Sequence, residues 1–293
     1  MRPLILLAAC IAGALLTGAL LAYPLHALLP FSYMQYHKVV PIATEFTAVA
    51  FSLLFLRATA GLDRTSLGFG FGAHDIRRDL PVALFAGAAF VAVLETALLL
   101  LGIHVPATSA SMVGPGSLAR LLFAAIAVGL LVAVVEETLF RGALVSGLKP
   151  STGAAGALLL TSAAYAAAHF VKFPPLPAGA EVHWYTSLEM LSQAFTRFRS
   201  PIVIDSFITL FALGLLLGLM RLARGHIAQC IGFHAGVVAG LKAAAEFADY
   251  SRGSGFDFLV NRWDPELGWL PTILLSAVTI GYVFLFMLGV RRP

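Results

Sequence analysis

The run VVEETLFRGAL, residues 134–144, sets two adjacent glutamates and an arginine at the end of a stretch built almost wholly of Leu, Ala, Val, Phe, Ile and Gly. An ionisable side chain at mid-membrane costs about 2.5–3.5 kcal/mol on insertion scales, so such groups face a bundle interior or a wet cavity and acquire partners there. Successive helical residues are turned by about 100°, which places Glu137 and Arg141, four apart, on one face. Arg141 is thereby expected to neutralise Glu137. Glu136 points elsewhere and needs a partner from another helix.

Two histidines meet that need. The chain is expected to reverse at SGLKPSTGA, residues 146–154, where Gly147, Pro150 and Gly153 punctuate and Ser151 or Thr152 caps the next helix. A hairpin folded about Thr152 brings position 136 level with about 168, next to His169, on a helix otherwise lined by small residues that allow close approach. In GHIAQCIGFHAGVVAG, His234 lies eight residues past the start of another apolar run, a depth of about 12 Å at 1.5 Å per residue. Gly232, Ala235, Gly236 and Gly240 leave room beside it for a backbone or a substrate.

A carboxylate converging with two imidazoles in a low-dielectric cavity suits hydrolysis. Glu136 can hold and deprotonate water. The imidazoles can stabilise an oxyanion, or join Glu136 around a metal that leaves one position open for water. The residues alone leave these alternatives open. There is no HExxH zinc helix and no Gly-x-Ser-x-Gly elbow. The blander reading is structural: hydrogen-bonded histidines between helices, and a Glu–Arg lock at i, i+4.

The elements that must position these groups are membrane spans. Hydrophobic residues make up 59% of the 293 and charged residues only 12%, against about 25% charged in an ordinary soluble domain. Mean hydropathy is +0.90. Eight stretches approach the roughly 20 apolar residues that cross a bilayer core, at about 4–22, 39–56, 80–102, 118–147, 153–173, 202–221, 226–245 and 270–290. The expected fold is an all-α polytopic bundle of about eight transmembrane helices, one membrane-embedded domain over 1–293 with its chemistry at about 118–245. If the spans alternate, Arg2, Arg57, Arg64, Arg77, Arg78, Arg141, Lys149, Arg221, Arg224, Arg291 and Arg292 share a side. The positive-inside rule then sets both termini in the cytoplasm. The net charge of +4 and pI near 9.3 follow from this bias and give no reason to expect nucleic acid. Cys10 and Cys230 lie in apolar runs as small hydrophobes.

Other polar positions read as secondary. Arg57–Arg78, with GFGFG, is expected to be a plain loop, since no strand precedes it and no P-loop lysine follows. Within 172–201, Leu188, Leu191, Phe195 and Phe198 recur at helical spacing, as in an interfacial anchor. Residues 246–269 are expected to form a polar loop. Glu95 and Asp205 are intramembrane acids that would serve an ion path. His26, His37, His74, His104 and His183 are expected at solvated or interfacial positions, and His226 at a span boundary. Lys242, eight residues past His234, is expected on a similar face, reaching the cavity.

EETLFR, YAAAH and HAGVV together resemble the motifs of the type II CAAX prenyl endopeptidases and their bacterial relatives, the CPBP (Abi) intramembrane proteases. In that family the first motif is Glu-Glu-x-x-x-Arg, the second Phe-x-x-x-His, with Tyr165 here in place of Phe. The third is His followed four residues later by Asn or a similar polar residue; here Val238 takes that place. The resemblance covers about 118–245. It implies an intramembrane endopeptidase in a bacterial cytoplasmic membrane, acting on a peptide or protein substrate at the lipid bilayer. Glu136 would activate water, His169 and His234 would stabilise the oxyanion or, with Glu136, bind Zn2+, and Glu137 with Arg141 would support the site. Val238 puts activity in question. A non-catalytic scaffold or bacteriocin-immunity protein of the same family is the alternative, and an ion-coupled transporter using Glu95, Glu136 and Asp205 a further one.

Overall fold

The structure is a computed structural model that describes residues 2–28, 35–108, 114–177, 179–200, 203–262 and 264–290. Pro201, Arg291 and Arg292, which fall within the readings above, lie outside them. The helices are α1 (Arg2–Leu28), α2 (Tyr36–Thr59), α3 (Ala73–Leu100), α4 (Pro115–Glu137), α5 (Val145–Ala168), α6 (Thr186–Gln193), α7 (Val203–Arg224), α8 (Ala228–Ala244) and α9 (Trp269–Val290). A π-helical turn, Thr138–Leu144, joins α4 to α5 without a break. Among the described residues, six helical stretches are long and apolar enough to cross a membrane, with 115–168 counted as one. That stretch reverses at Gly153, and α8 adds a short span of 17 residues, so the bundle has about eight crossings, as expected.

The reversal is sharper than the sequence suggests. The helix runs on through Pro150, and the Ser151 and Thr152 hydroxyls both donate to the Leu148 carbonyl at 3.0 Å. They finish the descending arm and do not cap the ascending one. Gly153 alone makes the turn, at φ +72°, a left-handed conformation open chiefly to glycine.

At the centre of the bundle, α8 lies between α3 and α4. An added Cβ at Gly232 or Gly236 would sit 2.3 Å from the Leu80 carbonyl oxygen or 2.1 Å from that of Leu84, and one at Gly87 would sit 2.1 Å from the Phe233 carbonyl oxygen. On the other flank, Gly129 of α4 meets the Ala235 carbonyl in the same way, at 2.6 Å. The small residues of α8 therefore accommodate neighbouring backbones, which is the close approach typical of packed membrane helices.

The two loop systems are more ordered than expected. Residues 61–72 dock under the bundle: Ser146 donates to the Ser66 carbonyl at 2.6 Å, and the Ile227 amide donates to the Gly68 carbonyl. At the opposite end two short strands, β1 (His104–Pro106) and β2 (Ala248–Tyr250), pair antiparallel with His104 opposite Tyr250. They tie the α3–α4 connection to the segment after α8. Helix α6 buries Thr186, Ser187 and Met190, with the Ser187 hydroxyl donating to the Ala19 carbonyl of α1. Phe195 and Phe198, beyond its end, remain exposed, consistent with an apolar face left towards the membrane.

Candidate active site

The end of α4 carries two carboxylates in different surroundings. Glu137 is fully buried and accepts from the Arg141 guanidinium at 3.1 Å. Its Oε1 also lies 2.8 Å from His234 Nδ1. Glu136, one residue and about 100° away, is half-buried, and its Oε2 lies 3.9 Å from His234 Nε2. That separation is too long for a direct hydrogen bond. Glu136 Oε2 is otherwise buried without a partner. The sequence pointed to Glu136 as the acid that meets the imidazoles; the direct bond goes to Glu137, because the Arg141 face of the helix is the one turned to α8.

Arg141 is held from three more sides. It donates to the Gly214 carbonyl of α7 at 3.3 Å, its guanidinium stacks 4.4 Å from the Tyr165 ring centroid, and its own carbonyl accepts from Arg221 at 3.0 Å. This residue belongs to the bundle interior, not to the set of loop charges that orient the chain. The next residue, Gly142, is constrained too, since a Cβ there would lie 2.4 Å from the Leu67 carbonyl oxygen.

Tyr165 organises the histidines. Its ring meets Phe140 edge-on at 5.3 Å, setting the hairpin register that brings position 136 opposite 169. It lies 4.6 Å from the His169 ring and 6.1 Å from that of His234. His169 Nδ1 donates to the Tyr165 carbonyl at 2.9 Å, and His169 lies in the electrostatic field of both Glu136 and His234. Each ring's Nδ1 faces an oxygen acceptor and so carries the proton. Nε2 is then a lone pair in the neutral ring and a donor in the protonated one.

A cavity of about 690 Å³ opens on this cluster. Tyr165, His169 and His234 form one end, Phe90, Leu94, Leu210, Leu213, Val237 and Val238 contribute apolar walls, and Asn261, Asp264 and Glu266 stand at the end nearer the 245–268 segment. Glu136 is not among the lining residues. Val238, the departure from the third motif, is on the wall. Lys242 is exposed and Leu241 takes the place expected of it: seven residues past His234 come back to nearly the same azimuth, whereas eight overshoot by about 80°. Among the described lining residues, Lys172 is the one Lys or Arg.

Several polar residues depart from expectation. His104 is buried, with Nδ1 2.8 Å from Glu95 Oε2, because strand pairing folds it back under α3. His226 is buried 3.5 Å from Asp79, which also takes a bidentate Arg224 at 2.6–2.9 Å. Glu95 closes on His104, and Asp205 on Ser206 and Asn261, so neither joins Glu136 in a path. The sequence reading overlooked Glu45, an acid within an apolar span, the very signal that singled out Glu136. Gly147 abuts Phe55 and Thr59, so Glu45, ten residues earlier on α2, lies near the level of Glu136, and the two carboxylates interact electrostatically.

The Nε2 atoms of His169 and His234 with Glu136 Oε2 are donors of the type zinc takes. Among the described residues, however, no three His, Cys, Asp or Glu side chains come close enough together to hold a metal ion. This arrangement does not fit a three-ligand site.

A multi-pass helical membrane protein with a carboxylate–imidazole cluster at one end of an apolar cavity is the class that fold and site define. Residues 117–240 match the family model described as Type II CAAX prenyl endopeptidase Rce1-like. The resemblance read from EETLFR, YAAAH and HAGVV is thus borne out over a segment that contains all three motifs, and the family is one of proteases. No curated protein and no solved structure matches the chain.

Proposed function

We propose that the protein is an intramembrane endopeptidase that hydrolyses a peptide bond of a membrane-associated or lipid-modified substrate, with Glu136 as general base. The observation that carries this reading is the placement of His234 between two glutamates: Nδ1 is tied to Glu137 at 2.8 Å, and Nε2 faces Glu136 at 3.9 Å. Such a gap is of the size one bridging water serves. The buried, unpartnered Glu136 Oε2 is the acceptor such a water needs.

Glu136 takes a proton from water as the water oxygen bonds to the scissile carbonyl carbon. The carbonyl π pair moves to oxygen, and the oxyanion is held by Nε2–H of His169 or His234 in the protonated ring. Glu137 neutralises the charge on His234, and Arg141 in turn neutralises Glu137. Collapse re-forms the carbonyl, breaks the C–N bond and passes the proton from Glu136 to the departing amine. With Val238 on the cavity wall, the histidines supply this stabilisation without an amide side chain at that position.

Glu136→Gln is expected to lower cleavage by about 10²-fold or more while leaving expression unchanged. New protein termini in membranes of cells carrying the wild type, absent with Glu136→Gln, are the readout. A non-catalytic scaffold reading draws on Val238 and on the structural character of the Glu137–Arg141–His234 lock. It predicts no such termini, and partner co-purification indifferent to Glu136→Gln.

A further inference from the structure

The cavity differs in charge between its two ends. Its lining residues on α7 run from Val203 to Leu213, ten residues or about 15 Å of helix. On α8 they run from His234 to Leu241, or about 10 Å. That length holds about three to five residues of extended chain at ~3.3 Å each. Gly87 of α3 abuts the His234 turn of α8, whereas Glu266 lies in the field of Glu95, eight residues or about 12 Å farther along α3; the His234 imidazole and the Asp264–Glu266 pair thus stand apart, with apolar walls between them. Asp264 Oδ1 is buried with no hydrogen-bond partner. Lys172 is the sole Lys or Arg among the described lining residues. It is close enough to His169 to act on it electrostatically.

We infer that this cavity selects, as substrate of the endopeptidase proposed above, a peptide segment that carries a lysine or arginine about three to five residues from the bond to be cut. The apolar walls take the intervening side chains, and the Asp264–Glu266 end takes the cation. The inference rests on the proteolytic reading for the word substrate, but the recognition itself is a matter of charge complementarity. An anionic flank, such as a free chain-terminal carboxylate at the same distance, would meet two carboxylates and be disfavoured. Burial, the charge of Asp264 and a side-chain hydrogen bond with it push Glu266 up to about 7, with Glu95 adding in the same direction and His104 opposing. A bound cation relieves that repulsion, which an uncharged group cannot do.

The test uses the full-length Glu136→Gln protein in detergent micelles and three fluorescent synthetic peptides with one shared apolar core. At four residues from the central bond they carry Lys, Gln or Glu. Anisotropy is expected to show the Lys peptide binding at least tenfold more tightly than the Glu peptide, with Gln between. Adding Asp264→Asn and Glu266→Gln should reduce that ratio below about threefold, with an unchanged thermal melt of the variant reporting an intact fold. If that double change unfolds the protein, Lys172→Gln serves instead and is expected to widen the ratio. Equal binding of the three peptides, no binding of any, or a preference indifferent to these changes overturns the inference. Mass spectrometry of the Lys peptide with unsubstituted protein tests the proteolytic reading separately: tight, acid-dependent binding without cleavage refutes the endopeptidase and leaves the recognition standing.

Discussion

The buried charges around His234 make a quantitative claim about Glu137. Glu137→Gln keeps the size of the side chain but removes the only carboxylate bonded to Arg141 among the described residues; the Arg141 guanidinium is 1% exposed. Breaking a buried ion pair from one side costs about 3–5 kcal/mol, since it strands the other charge. Here the amide oxygen can still accept from Arg141, and the guanidinium keeps the Gly214 carbonyl at 3.3 Å and the Tyr165 ring at 4.4 Å. The expected loss is accordingly towards the lower bound, about 3 kcal/mol, or a factor of about 10² in the folding equilibrium. The control is Glu137→Gln with Arg141→Met, which removes the stranded charge and fills most of its volume. That double variant should recover at least about 1 kcal/mol relative to Glu137→Gln alone. Reversible denaturant unfolding of the purified protein in micelles measures both. A single variant within about 0.5 kcal/mol of wild type, or a double variant no more stable than the single, would refute the reasoning, because Arg141 would then not depend on Glu137.

Three further outcomes follow from the packing and the cavity. Gly236→Ala places a methyl 2.1 Å from the Leu84 carbonyl oxygen and 2.8 Å from the Ala88 nitrogen, so α8 must move off α3. A loss of about 1–3 kcal/mol is expected, together with lower cleavage because His234 is two residues away; unchanged melting and activity would contradict the packing described. Val238→Asn restores an amide to the wall beside His234, and cleavage of a given substrate should rise about tenfold or more if an oxyanion forms there, whereas no gain would locate the oxyanion elsewhere. Glu266 has its folded-state pKa near 7, above the ordinary 4.5. The stability it contributes is thus full below about 4.5 and is lost as pH rises to about 7, the change belonging to the Asp264–Glu266 pair. Melting temperature should fall from pH 5 to pH 8, less steeply in Glu266→Gln; an identical slope in the variant would remove Glu266 as its source.

Residue type and spacing along the chain determined much of this protein: the apolar runs that cross a bilayer, the Glu137–Arg141 pair at four residues, the reversal near Gly153 that levels His169 with position 136, and three stretches that resemble the motifs of the matched family. These depend on helical periodicity and on distance from a turn, which are local quantities. The tertiary structure alone decided azimuth and company. Glu137, not Glu136, takes the hydrogen bond from His234 because glycine contacts of α8 with Leu80 and Leu84 and of α4 with Ala235 fix how the helices are rotated against each other. The same rotations bring Leu241 rather than Lys242 to the cavity, while strand pairing buries His104 against Glu95, and the 245–268 segment carries Asp264 and Glu266 to the cavity's far end. A helix's sequence tells which residues share a face; what that face meets is set by close contacts between residues roughly 100 to 150 positions apart, which no local pattern records.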